Sequence, residues 1–122
     1  MPHSKALMVT AALYGAAGVV LLAAGSHAAG GLATMAGQVL LLHAPVLLGG
    51  ALALKLLVIN RGFGRIALLL IALGVALFSG DLALRAFTGY RLFPFAAPTG
   101  GSAMIAGWLM LALAALAVPR GR

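Results

Sequence analysis

The chain has 122 residues, of which 64% are hydrophobic and only 7% are charged. Soluble domains carry about a quarter of their residues as charged side chains, so this composition excludes an ordinary water-soluble globule. Eight basic residues against one acidic residue give a net charge of +7. The basic residues stand singly between apolar runs and form no patch for nucleic acid. We therefore predict a single integral membrane domain over residues 1–122, with the lipid bilayer as its partner.

Four predominantly apolar runs are long enough to cross the hydrocarbon core of a bilayer, which needs roughly 20 helical residues. Turn-forming residues separate them, namely Gly30-Gly31, Asn60-Arg61-Gly62 and the segment from Gly89 to Gly101. The predicted spans are approximately residues 6–28, 35–57, 66–88 and 102–118. The predicted fold is therefore all-α, an up-down-up-down four-helix membrane bundle.

The first run has features of a secretory signal peptide, because Lys5 precedes it and Ser26-His27-Ala28 imitates a cleavage site. Signal peptides have an apolar region of about 7 to 15 residues. This run is nearer 20 residues, so we expect it to be an uncleaved membrane span.

Basic residues near the span ends predict the orientation of the bundle. Two, Arg85 and Arg91, fall on the side away from the termini, and six fall on the side of the termini: Lys5, Lys55, Arg61, Arg65, Arg120 and Arg122. Because cytoplasmic loops carry the excess of Lys and Arg, both termini are predicted to be cytoplasmic. The segment from Gly89 to Gly101 is then an outer loop, which we expect to be ordered and to cap the bundle.

Small residues recur every seven positions in two of the runs, which places them on one helix face. In the first run the series is Ala11, Gly18 and Gly25, with Gly15 beside it; in the third it is Ala67, Gly74, Asp81 and Thr88. Membrane helices associate through such small residues. We therefore predict that both series face neighbouring helices and that Asp81 faces protein.

Polar side chains within the spans concentrate in the predicted outer half, and such residues usually have partners or a function. The candidate cluster is His27, Gln38, His43, Ser79, Asp81 and Arg85. Arg85 follows Asp81 at i+4, so the two can form a neutral pair within one helix. Asp81 could instead be a proton or cation site, and His43, at a similar predicted depth, could hydrogen-bond to it.

The chain offers weak matches to the sets of residues that enzymes use for catalysis. One acidic residue cannot supply a paired-carboxylate mechanism, and the two intramembrane histidines lack the spacing of a zinc site. Ser79, His43 and Asp81 match the inventory of a catalytic triad, but nothing builds a strained elbow or an oxyanion hole. Haem ligation by His27 and His43 would need both at one depth, and His27 is closer to the surface. We predict no catalytic residue, no metal and no cofactor.

The second half of the chain contains a series of short motifs, namely Leu77-Phe78-Ser79-Gly80, Thr88-Gly89, Pro98-Thr99-Gly100-Gly101 and Gly107-Trp108. This series resembles the YgdD-like family, domain-of-unknown-function family four-two-three. Gly25-Ser26-His27 and His43 also resemble family positions, so the similarity covers about residues 11–116. It implies a four-helix protein of the bacterial inner membrane without an established activity or cofactor. The chain departs from the family pattern at Asp81, where many members have serine, and at Val39-Leu40, where a Tyr-Gln pair is common.

Two functional hypotheses remain open. The first is a non-enzymatic inner-membrane protein that binds a partner in the outer half, either a protein complex to which it is an accessory subunit or a lipid-like molecule. The alternative is a small proton-coupled transporter of solutes that acts as a homo-oligomer. Transport requires Asp81 to titrate, whereas a neighbouring Arg85 would stabilise its charged form.

Overall fold

A computed structural model describes residues 2–118, apart from the side chains of Pro2, His3 and Ala29. Every regular element in that range is helical, which confirms the predicted all-α class. The elements are α1 (Pro2–Ala24), a π-helical segment (Gly25–Ala29), α2 (Gly30–Lys55), α3 (Arg61–Thr88) and α4 (Ala96–Leu116). All four α-helices are long and apolar enough to cross a membrane.

Each of the four helices begins four to six residues before the span predicted from the sequence, and the difference affects the connections most at α2 and α4. The chain turns from α1 into α2 through the π-helical segment, and α2 starts directly at Gly30 rather than near Met35. Gly30 has φ of 78° and ψ of −161°, a conformation that glycine adopts readily. Similarly, α4 starts at Ala96 rather than near Ser102. Pro98 lies in its first turn, where no helical partner exists for a backbone N–H, so proline does not interrupt the helix there.

The connection between α2 and α3 is fixed by Asn60. Its side chain accepts a hydrogen bond from Phe63 N at 3.0 Å and so caps the start of α3. Its own backbone N–H donates to Ala114 O at 2.8 Å, near the end of α4. Asn60, predicted from the sequence to be part of a turn, therefore holds the start of α3 and the end of α4 together.

Glycines bring consecutive helices into backbone contact. A Cβ added at Gly37 in α2 would lie 2.8 Å from Gly18 O in α1, and one at Gly100 in α4 would lie 2.6 Å from Gly74 O in α3. Real Cβ contacts are not that short, so only glycine permits these approaches. The two seven-residue series accordingly face neighbouring helices as predicted, except that Thr88 is exposed.

Three hydrogen bonds from a side-chain hydroxyl to a backbone carbonyl join helices to one another. Ser4 Oγ near the start of α1 donates to Ala51 O near the end of α2 at 3.3 Å. Ser79 Oγ near the end of α3 donates to Ala36 O near the start of α2 at 3.0 Å. Tyr14 Oη in α1 donates to Ala72 O in α3 at 2.6 Å. The buried apolar core lies mainly along α2 and α3.

Candidate functional site

The segment between α3 and α4 is short and held by its backbone. Gly89, with φ of 79°, ends α3 and donates its N–H to Arg85 O at 2.9 Å. Thr88 Oγ1 accepts from Tyr90 N at 3.1 Å, and Ala96 N donates to Phe93 O at 3.2 Å. The prediction of an irregular stretch from Gly89 to Gly101 was too long, because the helix resumes at Ala96 once Pro98 can occupy its first turn.

Asp81 lies at the junction of this segment with α3. Its side chain is almost completely buried, with 1% of the residue's surface exposed. Oδ1 accepts a hydrogen bond from Leu92 N at 2.9 Å, and Oδ2 lies 3.5 Å from Arg85 Nε. The carboxylate therefore fastens the connecting segment to α3 and places one arginine beside it. This is the intrahelical pair that the i+4 spacing predicts.

Arg85 is only partly satisfied by that pair. Its Nε is buried and makes no hydrogen bond with good geometry to any described residue, since the approach to Asp81 is long. About a quarter of the side chain, 23%, remains exposed. A guanidinium carries five N–H donors, so the arrangement leaves donors of Arg85 for a further acceptor.

A cavity of about 530 Å³ opens where α3, the connecting segment and α4 meet. Two arginines and one carboxylate line it, which leaves it with an excess of one positive charge, and the remaining wall is mainly apolar. The lining residues are Phe78, Asp81, Arg85, Arg91, Ala97, Pro98, Gly101, Ser102 and Ile105. We call this the outer cavity. Its chemistry suits a ligand with an anionic group and an apolar body.

His43 lies elsewhere and has two partners of its own. Its Nδ1 is 2.8 Å from Val39 O, and its Nε2 lies 3.1 Å from the indole Nε1 of Trp108 in α4. Indole N–H groups only donate, so Nε2 accepts and Nδ1 carries the proton of a neutral imidazole. The two rings meet edge to face, with centroids 5.8 Å apart. The polar link therefore spans α2 and α4 and does not include Asp81.

The early start of α2 explains why His43 and Asp81 do not meet. His43 lies thirteen residues after Gly30, about 20 Å along the helix, whereas Asp81 lies about 10 Å from the end of α3 at Thr88. The prediction that they share one depth rested on a start near Met35. Asp81 instead hydrogen-bonds to a backbone N–H of the connecting segment.

Three candidate residues remain, and they lie apart from one another. Gln38 and His27 are on the surface, and Ser79 is in the contact between α2 and α3. Ser79 is buried and donates to Ala36 O, so its hydroxyl is engaged in packing. Gln38 in α2 and His27 in the π-helical segment are both exposed. The six candidates thus separate, and only Asp81 and Arg85 enter the outer cavity.

Sequence reasoning missed three contributors to these sites. Arg91 served only to predict orientation, although it lies in the segment between α3 and α4 and lines the outer cavity. The backbone N–H of Leu92 carries no sequence signal at all. Trp108 did offer one, because a single indole with an N–H donor within an apolar helix requires an acceptor.

Comparison with known proteins identifies the family. The family model described as "Protein of unknown function (DUF423)" matches residues 14–101. The chain belongs to this family. That match confirms the resemblance inferred from the motifs in α3 and α4.

Curated relatives locate the protein in the cell. The chain is 40% identical over 50 residues to UPF0382 inner membrane protein YgdD of Escherichia coli strain K12, and the same values hold for the proteins of that name from Escherichia coli O157:H7 and Shigella flexneri. The match covers 41% of this chain and only 38% of each relative. No solved structure matches the chain. With its four apolar helices, the protein is a multi-pass inner membrane protein.

Proposed function

We propose that the protein binds an anionic phospholipid of the surrounding membrane in the outer cavity, without catalysing a reaction. The observation that carries the proposal is that the partly exposed guanidinium of Arg85 lies at a cavity whose wall is mainly apolar. Arg85 retains unused donors beside Phe78 and Ile105. Guanidinium groups bind phosphate through two parallel hydrogen bonds, and the apolar wall suits an acyl chain.

Asp81 has a positioning role in this proposal. Its Oδ1 holds the connecting segment that carries Arg91, and its Oδ2 orients Arg85. The two arginines are thereby placed at one cavity, where one carboxylate neutralises only part of their charge. A phosphate group would complete the neutralisation.

The proposed orientation follows from the basic residues at the helix ends. Both termini are cytoplasmic in this proposal, α1 to α4 alternate in direction, and the outer cavity belongs to the periplasmic leaflet. Alkaline phosphatase fused after Arg122 should then be inactive. Strong activity of that fusion would reverse the assignment of the leaflet.

The transport hypothesis has less support from the contacts. A proton carrier must exchange protons with water, whereas Asp81 is almost completely buried and its two oxygens already lie against Leu92 N and Arg85 Nε. If Asp81→Asn left lipid binding intact and abolished proton-coupled flux in vesicles, transport would become the better account.

Native mass spectrometry of the protein with phosphatidylglycerol or phosphatidylcholine tests the proposal. Arg91→Gln removes an exposed charge and spares the Asp81 pair, so folding should be unchanged. We expect phosphatidylglycerol affinity to fall about fivefold, the value of one basic residue near an anionic headgroup. Lys55→Gln removes the same charge from the exposed end of α2 and serves as the matched control.

Two outcomes would contradict the proposal. One is an equal loss of phosphatidylglycerol affinity in Arg91→Gln and Lys55→Gln, which would indicate only the attraction of an anionic lipid to net charge. The other is indifference of the wild-type protein to the headgroup. Recovery of affinity in Arg91→Lys would support a role for the charge at this position.

A further inference from the structure

A second cavity lies between α1 and α3, at the opposite end of α3 from the outer cavity. Its volume is about 350 Å³, and Arg65 is the one charged residue among its lining residues. These helices lack the glycine contacts that close the α1–α2 and α3–α4 pairs. Tyr14 bridges them by donating to Ala72 O at 2.6 Å. We call this second cavity the cleft. It is closed at Tyr14 and extends toward the starts of both helices.

The walls of this cleft have the character of an acyl-chain site. Leu69 and Leu73, two exposed leucines one turn apart on α3, form one side. Ala6 and Ala72 are small and leave the space between the helices open. The hydroxyl groups present are already used, since Thr10 donates to Ala6 O and Tyr14 to Ala72 O. An extended apolar chain fits such a surface better than a polar solute does.

Arg65 supplies the charge that distinguishes this cleft from an ordinary groove between helices. It lies in the second turn of α3, is half-buried, and forms no ion pair or hydrogen bond with any residue from 2 to 118. Lys5, next to Ala6, is exposed at the start of α1. The mouth of the cleft therefore carries positive charge, and the deeper part is apolar.

We infer that this cleft binds one anionic phospholipid, with its phosphate at Arg65 and an acyl chain along Leu69 and Leu73. The charge of Arg65 selects the headgroup, because a guanidinium gains more from a phosphate with net negative charge than from a zwitterionic lipid. The site is separate from the outer cavity, shares no lining residue with it, and does not depend on the proposed function.

Counting bound phosphatidylglycerol by native mass spectrometry distinguishes the two cavities. The wild-type protein should retain two tightly bound molecules, and Arg65→Gln and Arg91→Gln should each weaken one of them. For Arg65→Gln we expect about a fivefold lower affinity, the value of one basic residue at the lipid surface. Arg65→Lys should recover most of it. Lys55→Gln, at the exposed end of α2, is the matched control.

A second variant tests the apolar part without changing charge. Ala6→Phe places a ring in the cleft from an exposed position, so the fold should tolerate it and phosphatidylglycerol should lose the site. The inference is overturned if Arg65→Gln behaves like Lys55→Gln, if Ala6→Phe leaves the lipid count unchanged, or if phosphatidylcholine binds there equally well. Loss of binding in Arg91→Gln with retention in Arg65→Gln would overturn this inference and spare the outer cavity.

Discussion

The α1–α2 and α3–α4 pairs use one packing device and differ in what they add to it. Gly18 and Gly37 bring the first pair together, and Gly74 and Gly100 the second, in each case with backbone against backbone. A cavity of about 300 Å³ beside the first pair is lined by Met8, Ala11, Ala12, Leu41, Ala44, Pro45 and Leu48. The outer cavity beside the second pair has a similar apolar wall and three charged residues.

This difference separates the glycines that pack the helices from the charged residues that line the outer cavity. The α1–α2 pair packs through close contact of small residues without an ion pair between described residues, so α3 and α4 do not need Asp81 and Arg85 in order to pack. Buried charges carry a desolvation cost that apolar side chains of similar volume would avoid. Their presence at one helix pair and not the other supports the proposed binding at the outer cavity.

The largest expected effect comes from filling the glycine contacts. In Gly74→Ala, the new Cβ would lie 2.6 Å from Gly100 O and 2.8 Å from Met104 N, and both are backbone atoms that cannot move aside. We expect a loss of about 3 kcal/mol in the free energy of unfolding. Gly37→Ala should cost a similar amount at the other pair, because its Cβ would meet Gly18 O at 2.8 Å. Unfolding in mixed detergent micelles, followed through the single Trp108, measures both.

Lipid binding measured in Gly74→Ala and Gly37→Ala tests whether the α3–α4 pair, and not the α1–α2 pair, defines the outer cavity. Gly74→Ala displaces α4 from α3 and should weaken phosphatidylglycerol binding at the outer cavity, whereas Gly37→Ala should not. Gly80→Ala is the control, since its Cβ would meet only Leu92 Cδ1 at 3.6 Å. Equal lipid affinity in the Gly74 and Gly37 variants would show that the geometry of the α3–α4 pair does not define the site.

Removing the acidic partner should have the next largest effect. In Asp81→Asn the amide oxygen can still accept from Leu92 N, but the half-buried Arg85 loses its counter-charge. We expect a loss of about 2 kcal/mol in stability, below the value for a fully buried pair because part of the arginine reaches solvent. Asp81→Asn with Arg85→Gln should recover about half of that loss, since no lone charge remains.

A double-mutant cycle on the same unfolding signal decides this prediction. The two single variants and the double variant give the coupling between Asp81 and Arg85 directly. Strictly additive losses would mean that the pair does not interact. The carboxylate would then stabilise the protein only through the connecting segment.

The sequence was sufficient for the parts of the fold that depend on composition and on residue spacing. Apolar runs of membrane length predicted four helices, and the seven-residue series predicted which faces of α1 and α3 are covered. The Asp81–Arg85 pair was also predictable, because i+4 spacing places both side chains on one face of the same helix.

The remaining features depend on where helices start, which composition does not decide. Gly30-Gly31 and Pro98 predict breaks between helices. In the structure they lie in the first turns of α2 and α4. The early start of α2 moved His43 deeper, beside Trp108. The contact that holds the connecting segment against Asp81 uses the backbone N–H of Leu92, which every residue except proline would supply.

The smallest expected effect concerns Ser79, which belongs to neither glycine pair and joins α2 to α3. Its hydroxyl is buried and donates to Ala36 O at 3.0 Å. That carbonyl lies inside a helix, so the hydroxyl is a second donor and its removal leaves no orphaned group. Ser79→Ala should therefore cost only about 0.6 kcal/mol, the average for polar contacts between membrane helices. It should leave phosphatidylglycerol binding unchanged, because Ser79 does not line the outer cavity. A loss of lipid affinity in Ser79→Ala would show that the α2–α3 contact also shapes the site.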